Sequence, residues 1–350
     1  TSSAGQDNTE VEKVEYIVLN DDNVKDVKAT EKDTVEFYLE MLGANYHLAP
    51  FVGFSLKIND KIYVSRDVEL LEEDNIKHIL EDEKIKKNVF DLKRTMVAAH
   101  RLGIHTHGLD YDMLLASYLI NNENNSNDLG EIAHLYGDYS VKTDLEVYGK
   151  GKSEHIPDDD DELFNHLASK INAIESLKKP LLEKLKDHEQ DALFDTIEIP
   201  TARVLARMEM NGMKVEASTL LQLQNEFAVK LKELEDKIYD QAGEKFNLNS
   251  PKQLGHILFE KLGLPVIKKT KTGYSTSVEV LDQLKTQSPI VSEILDYRQI
   301  AKIQSTYVKG LLDVIQPDGR VHTRYLQTLT ATGRLSSVDP NLQNIPTRTE

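Results

Sequence analysis

Between residues 11 and 65 the apolar positions alternate. Val14, Tyr16 and Val18 fall on one side of an extended chain, as do Val35, Phe37 and Leu39. That period predicts strands with one buried face. Val52–Ile58 and Lys61–Ser65 flank Asn59-Asp60, a turn pair, so they predict a hairpin. The period then lengthens. Residues 75–103 predict helix, with Gly103 as its stop, and Asp112–Ile120 predicts a buried helix. The Asn-rich stretch 122–130 and the Gly, Lys and Asp stretch 148–162 read as connectors. Helices are expected at 162–177 and 179–196. Strands followed by helices in one unit predict an α/β (α+β) domain.

Ile199-Pro200 reads as a boundary that opens a helix ending at Gly212. Residues 216–242 place Leu220, Leu223, Phe227, Leu231, Leu234 and Ile238 at three- and four-residue spacing, one face of a long helix in an antiparallel arm. Asn249-Ser250-Pro251 is a helix start, and Leu254, Ile257, Leu258 and Leu262 form the stripe that follows, ended by Gly263. Thr276-Ser-Val-Glu279 predicts a capping box, residues 289–315 a last long helix, and 321–329 a strand.

Composition narrows the class. Of 350 residues, 39% are hydrophobic and 29% charged, the balance of an ordinary globular chain. No apolar run reaches the roughly 18 residues that span a bilayer, and the polar residues 1–10 read as a linker rather than a signal sequence. A chain without cysteine has no disulfide framework or thiolate metal site and suits a cytoplasmic setting. The absence of a starting Met suggests a piece of a longer protein. The net charge of −17 is uneven. Residues 251–350 hold 13 Lys+Arg against 9 Asp+Glu, and the first 250 hold 29 against 50. Screening limits the reach of charge to about 10 Å, so the mildly basic final part can meet phosphate despite the acidic total.

Candidate chemistry is concentrated near the end. Arg334 and the planar amides of Asn341, Gln343 and Asn344 crowd one polar loop. Such donors suit the minor-groove edge of a duplex, where acceptors sit similarly for every base pair. His105, His107, Asp110 and Asp112 form a possible but weak metal set. The acidic run Asp158–Glu162 reads as a solvated loop before a helix, and His256 and His322 as structural. No phosphate-cradling glycine motif is present.

The run Thr330-Ala-Thr-Gly-Arg-Leu-Ser-Ser337, continuing to Pro340-Asn-Leu-Gln-Asn-Ile-Pro346, resembles the matching motif of family A DNA polymerases, the bacterial DNA polymerase I type. Val204-Leu-Ala-Arg-Met-Glu-Met-Asn-Gly212, Phe246–Leu254 and Tyr297-Arg298…Ala301-Lys302…Ser305-Thr-Tyr307 are similar to it as well. Phe51-Val-Gly-Phe54 and Leu102–Leu109 extend a weaker likeness into the first half. The resemblance implies a ribonuclease H-like 3′–5′ exonuclease domain at 11–197, a helical thumb at 198–316 and the start of a palm at 317–350. It implies primer–template DNA as partner, held by Asn249, Ser250, Lys252, Arg298, Lys302, Thr306, Arg334, Asn341, Gln343 and Asn344, with Lys268, Lys269 and Lys271 at a basic tip. It further implies a monomer that uses Mg²⁺ in the parent polymerase, whose catalytic carboxylates lie past Glu350, so that this piece is silent and holds no metal. Proofreading in the family needs four carboxylates around two ions. By resemblance the first pair falls on Tyr38 and Glu40, the second motif on Thr95, and the third, Tyr-x-x-x-Asp, near Leu167 and Ala173, with Asp112 a further position of the vestigial site. Three of the four acids are gone, which implies no metal-dependent proofreading. Two alternatives stay open: a working exonuclease that uses Asp110, Asp112 and Glu40, and a non-catalytic DNA-binding module.

Overall fold

The computed structural model describes residues 13–345. The expected linker at 1–10 and the end of the last motif, Pro346 onward, lie outside the described residues. The chain forms two compact units. Among the described residues, one runs to Gly212 and takes in His322–Asp339; the other comprises Met213–Val321 and residues 340–345.

The first unit is built on six strands: β1 (Ile17–Val18), β2 (Val35–Met41), β3 (Phe51–Ile58), β4 (Lys61–Ser65), β5 (Lys87–Val89) and β6 (Leu109–Asp112). Their order is β1-β4-β3-β2-β5-β6. The expected hairpin is present as β3 and β4, with Asn59 at a φ of 53° in its turn. β2 joins β3 antiparallel and β5 parallel, so the sheet is mixed. A register shift between Glu40 and Met41 marks the end of β2. Helices follow: α1 (Asp74–Glu81), α2 (Leu92–Arg101), α3 (Met113–Ile120), α4 (Leu129–Leu135), α5 (Asp144–Tyr148) and α6 (Asp160–Asp187). Phe37, Leu39, Phe54 and Leu56 are buried in the core, while alternation turns Tyr38, Glu40, Gly53 and Ser55 to the face that meets α6 with its buried Leu167 and Ile171. Gly53 is needed there, because a Cβ would stand 2.5 Å from the Ser65 carbonyl oxygen and 3.3 Å from Leu167.

Several expectations are corrected. Residues 75–103 are not one helix, because β5 intervenes as a buried three-residue strand between β2 and β6. Lys87 within it sends Nζ to the carbonyls of Ile79 (2.8 Å) and Asp82 (2.9 Å) and so closes the end of α1. Burial pulls its pKa down to about 8. The helices expected at 162–177 and 179–196 meet in α6, which runs through Pro180 to Asp187. A proline inside a helix costs about 3 kcal/mol; the buried Leu177, Leu181 and Leu185 carry the helix past it. Glu189, at a φ of 55°, turns the chain. Helix then resumes as α7 (Asp191–Leu193), a π-helical turn at Phe194–Glu198 and α8 (Ile199–Asn211), so Ile199-Pro200 continues a helical run instead of opening one.

In the second unit β7 (Met213–Lys214) precedes α9 (Ala217–Ala242), whose expected stripe is half-buried or buried and packs on α12. α10 (Pro251–Gly255) starts at the Ser250 cap, and a hairpin of β8 (Lys269–Thr270) and β9 (Gly273–Tyr274) follows. α11 (Val278–Leu284) is capped by Ser277, not Thr276; Ser277 Oγ accepts from the Val280 N–H at 3.4 Å. α12 (Pro289–Lys302), a π turn at Ile303–Val308 and α13 (Lys309–Val314) form the last long helical run. β10 (Arg320–Val321) pairs with β7. In the first unit, β11 (Arg324–Leu326) pairs antiparallel with β12 (Ser336–Val338), so the expected strand at 321–329 is shorter and finds its partner beyond the polar loop.

Candidate functional site

Four elements meet around Glu40. β2 supplies Tyr38 and Glu40, two residues apart and both buried. α6 supplies His166 and Lys170, α5 and its end supply Asp144 and Tyr148, and α2 supplies Arg94. The Lys170 ammonium is fully buried and lies 2.5 Å from Glu40 Oε2, 2.5 Å from Asp144 Oδ1 and 3.1 Å from the Tyr38 hydroxyl. Tyr148 donates to Glu40 Oε2 at 3.1 Å, and Arg94 stands 3.5 Å from Oε1. Burial alone would lower the Lys170 pKa; the Glu40 and Asp144 carboxylates overcome it and hold the ammonium well above its ordinary value. Burial would raise Asp144, but Lys170 keeps its carboxyl well below the usual range. Burial, together with the Lys170 charge, lowers the His166 pKa.

Glu40, Asp144 and His166 bring one ligand atom each within 4.8 Å of one another, the one such group of three among the described residues. This set does not fit the two divalent ions of a proofreading exonuclease. The Lys170 ammonium takes an oxygen of each carboxylate, and two carboxylates against Lys170 and Arg94 leave no charge for a dication. Magnesium also wants an octahedron of oxygens. His166 and Lys170 keep the four-residue spacing that the Leu167 and Ala173 placement does not, a signal that was available in the sequence. Leu167 and Ala173 are buried in the apolar core. Asp144 had no such signal, because its part depends on how α5 packs.

The remaining positions of the first half are committed elsewhere. Thr95 Oγ1 donates to the Asp91 carbonyl at 2.8 Å. The buried Asp112 carboxylate accepts from the N–H groups of Asp91 and Leu92 (2.8 Å each) and Leu114 (2.9 Å), joining the starts of α2 and α3. Asp110 pairs with Arg203 (2.7 Å) and Lys86 (3.2 Å). It lines a cavity of about 450 Å³ together with His105 and His107. Glu40, Asp110 and Asp112 therefore have three separate sets of partners. In the acidic run, Asp159 caps α6, Asp160 meets Arg66 at 2.7 Å and Asp161 accepts from the Tyr16 hydroxyl.

A second buried charge stands near the end of α8. Glu209 accepts from the Tyr46 hydroxyl (2.6 Å) and the Tyr325 N–H (3.1 Å), and meets His47 (3.1 Å) and Lys93 (2.7 Å). His322 Nδ1 donates to the Glu209 carbonyl at 2.7 Å. These bonds seat the strand that leads into the polar loop. Arg334, on that loop, is exposed and its guanidinium makes no ion pair among the described residues. Thr330 Oγ1 donates to its carbonyl at 2.7 Å.

In the second unit Asn341, Gln343 and Asn344 are exposed; Asn341 Oδ1 accepts from the Gln343 N–H at 2.9 Å. The Asn249 N–H donates to Asn247 Oδ1, Ser250 caps α10 and Lys252 is exposed beside it. Ser250 and Lys252 line a cleft of about 1050 Å³ with Lys245, His256 and Tyr274. His256 bonds Glu260. Lys268, Lys269 and Lys271 are exposed at the β8–β9 hairpin, and Lys302 and Thr306 on the last helical run. Arg298 is half-buried, with its guanidinium on the Thr276 carbonyl and, at 3.2 Å, on Thr276 Oγ1.

The family model described as DNA polymerase family A matches residues 217–350, and that described as DNA polymerase I, ribonuclease H-like domain, matches 37–177. The chain belongs to the family A DNA polymerases. DNA polymerase I of Bacillus subtilis (strain 168) is 47% identical over 99% of this chain and 40% of its own length. That of Geobacillus stearothermophilus is 46% identical over 91% of this chain and 36% of its own. Among solved structures, the POL domain of Pol1 from M. smegmatis in complex with DNA primer-template and dNTP matches 91% of this chain and 53% of that one, at 30% identity and a TM-score of 0.71. This family A chain thus spans about two fifths of the length of the curated relatives it matches. The mixed sheet with its helices is the ribonuclease H-like domain that the motifs implied. No helix of the described residues is long and apolar enough to cross a membrane.

Proposed function

We propose that this chain is the part of a cytoplasmic, monomeric DNA-directed DNA polymerase that holds primer–template DNA, and that its exonuclease-like unit does not proofread. The thumb comprises residues 198–316 and the palm begins at 317. Asn249, Ser250 and Lys252, then Lys302 and Thr306, follow the duplex backbone; Arg298 shapes the same surface from its seat on Thr276. Asn341, Gln343 and Asn344 meet minor-groove acceptors, and Arg334 does so at the primer terminus. What carries this reading is the exposed guanidinium of Arg334, without an ion pair among the described residues, on a loop in the segment matched by the polymerase family model.

In the whole enzyme the primer 3′-oxygen would attack the α-phosphate of a deoxynucleoside triphosphate and pyrophosphate would leave, with paired carboxylates holding the divalent ions that would stabilise the developing charge. Among the described residues no such pair stands near Arg334, since Asp339 is taken by Arg324 at 2.6 Å. The 350-residue chain is therefore expected to bind primer–template without extending it.

Arg334→Ala should weaken binding to a recessed primer–template by about 1–3 kcal/mol, read by fluorescence anisotropy at fixed salt. An unchanged dissociation constant sinks the placement of the loop. A 5′-labelled single strand incubated with the chain and Mg²⁺ should keep its length. EDTA-sensitive shortening from the 3′ end by pure protein would show that the Lys170 cluster does not prevent metal-dependent cleavage.

A further inference from the structure

Residues His322–Asp339 fall in the stretch matched by the polymerase family model, yet they pack in the same compact unit as the ribonuclease H-like domain. Their hydrogen bonds say how. Gln327 Nε2 donates to the Glu198 carbonyl (3.1 Å) and to its Oε2 (2.8 Å). The Tyr118 hydroxyl donates to the Thr330 carbonyl, and Asn122 Nδ2 donates to the Ala331 carbonyl at 3.0 Å. The Thr330 carbonyl also accepts from the Gly333 N–H at 3.3 Å, and Gly333 sits at a φ of 73°. The turn that carries Arg334 is thus closed on itself and joined to the end of α3, with Thr328 Oγ1 also reaching Asn127 Oδ1 at 3.5 Å.

That joint is Tyr118, a buried residue near the end of α3, with Asn122 just beyond. α3 is in turn started by Asp112, which also fixes the start of α2. Both contacts from this joint to the loop are made to backbone carbonyls, so they set its path without engaging the Arg334 side chain. A loop held in its bound shape loses less conformational freedom when a ligand arrives.

We infer that the ribonuclease H-like domain, whose metal site is filled by a lysine, acts as the mount of the Arg334 loop, with Tyr118 and Asn122 as its positioning residues. The inference deepens the proposed function and rests on its reading of Arg334 as a primer-terminus contact.

The test uses the 350-residue chain carrying Tyr118→Phe together with Asn122→Ala. Two quantities are read: hydrogen exchange of the peptide covering 328–336, and the affinity for a recessed primer end relative to a blunt duplex of equal length. Exchange in that peptide should quicken about ten-fold, and the preference for the recessed end should fall about five-fold. Ile79→Val, in α1, serves as a control of general destabilisation and should change neither the loop peptide nor the preference. Unchanged exchange and preference in the double variant overturn the inference, as does an equal effect in the control. If Arg334→Ala leaves binding intact, the reading of the loop as a DNA contact falls, while the exchange measurement still decides whether Tyr118 and Asn122 hold it. If Arg334→Ala weakens binding and the double variant does not, the mount is wrong and the DNA contact stands.

Discussion

Lys170→Met should destabilise the chain by about 3–5 kcal/mol at neutral pH, because it leaves Glu40, buried at 1% exposure, without its nearest cation. Methionine matches the length of the lysine stem, so the loss measures charge more than volume. Arg94, at 3.5 Å, offsets part of it. The pH dependence carries the diagnosis. The Lys170 pKa is raised on folding, so its contribution is full below the unfolded value of 10.5 and is lost as pH climbs through the folded one. The Asp144 pKa is lowered, so its contribution is full above 3.8 and is lost as pH falls through the folded value. The deficit of the variant should accordingly be greatest near about pH 8–9 and shrink as pH falls, because Glu40 and Asp144, buried without Lys170, take up protons more readily. Adding Glu40→Gln and Asp144→Asn to Lys170→Met should recover most of it, since replacing every charged member of a buried set is far less costly than removing one. Urea unfolding followed by circular dichroism reads both results. A single variant within 1 kcal/mol of the parent, or a combination no better than the single, contradicts the account.

The pieces of this fold that were legible in the sequence are those with a local signal. Strict alternation around Asn59-Asp60 gives the β3–β4 hairpin, and the stripe from Leu220 to Ile238 gives α9 with its buried face. β5 carried no such signal, because three residues are too short for a period to show and a strand paired on both sides needs no alternation. Pro180 invited a break in α6 that core packing overrode. The motif spacing brought the reading to α6 but set it on Leu167 and Ala173; only the fold shows that Lys170 faces Glu40. Asp144 and Tyr148 join by long-range packing of α5, which no window of sequence encodes.

The same limit explains the placement of His322–Asp339. By motif this stretch belongs with the polymerase half, and by contact it belongs to the first unit. Glu209 is the reason. It lies fully buried on α8 and offers Oε2 to the Tyr325 N–H while Lys93 and His47 neutralise and cap it. A carboxylate so satisfied fixes register as well as energy, so the strand leading to Arg334 is seated before the loop begins. The ribonuclease H-like domain therefore has a structural part in seating this stretch: Tyr46 and Lys93 serve Glu209, and Tyr118 serves Thr330.

The Glu36→Gln variant should be more stable than the parent at pH 8 by about 3 kcal/mol, and indistinguishable from it near pH 4. Glu36 lies on β2 and is fully buried. Its Oε2 accepts from Asn88 Nδ2 at 2.5 Å, and its Oε1 has no partner among the described residues. Burial pushes its pKa up from 4.5 to about 7, against the smaller pull of Asn88 and Lys57. The sign follows from linkage. A carboxyl whose folded pKa is raised binds its proton more tightly when folded. Its contribution is therefore full below pH 4.5 and is lost as pH rises through 7. Glutamine imitates the protonated acid in shape and cannot ionise, so it escapes that loss; any change in packing shifts the comparison equally at every pH and leaves the slope intact. Thermal midpoints of both proteins from pH 4 to pH 9 give the measurement. The difference should open above about pH 5 and level off beyond pH 8, and a pH-independent difference would mean that Glu36 is ionised in the folded chain, with Lys57 and Lys178 as its counter-charges.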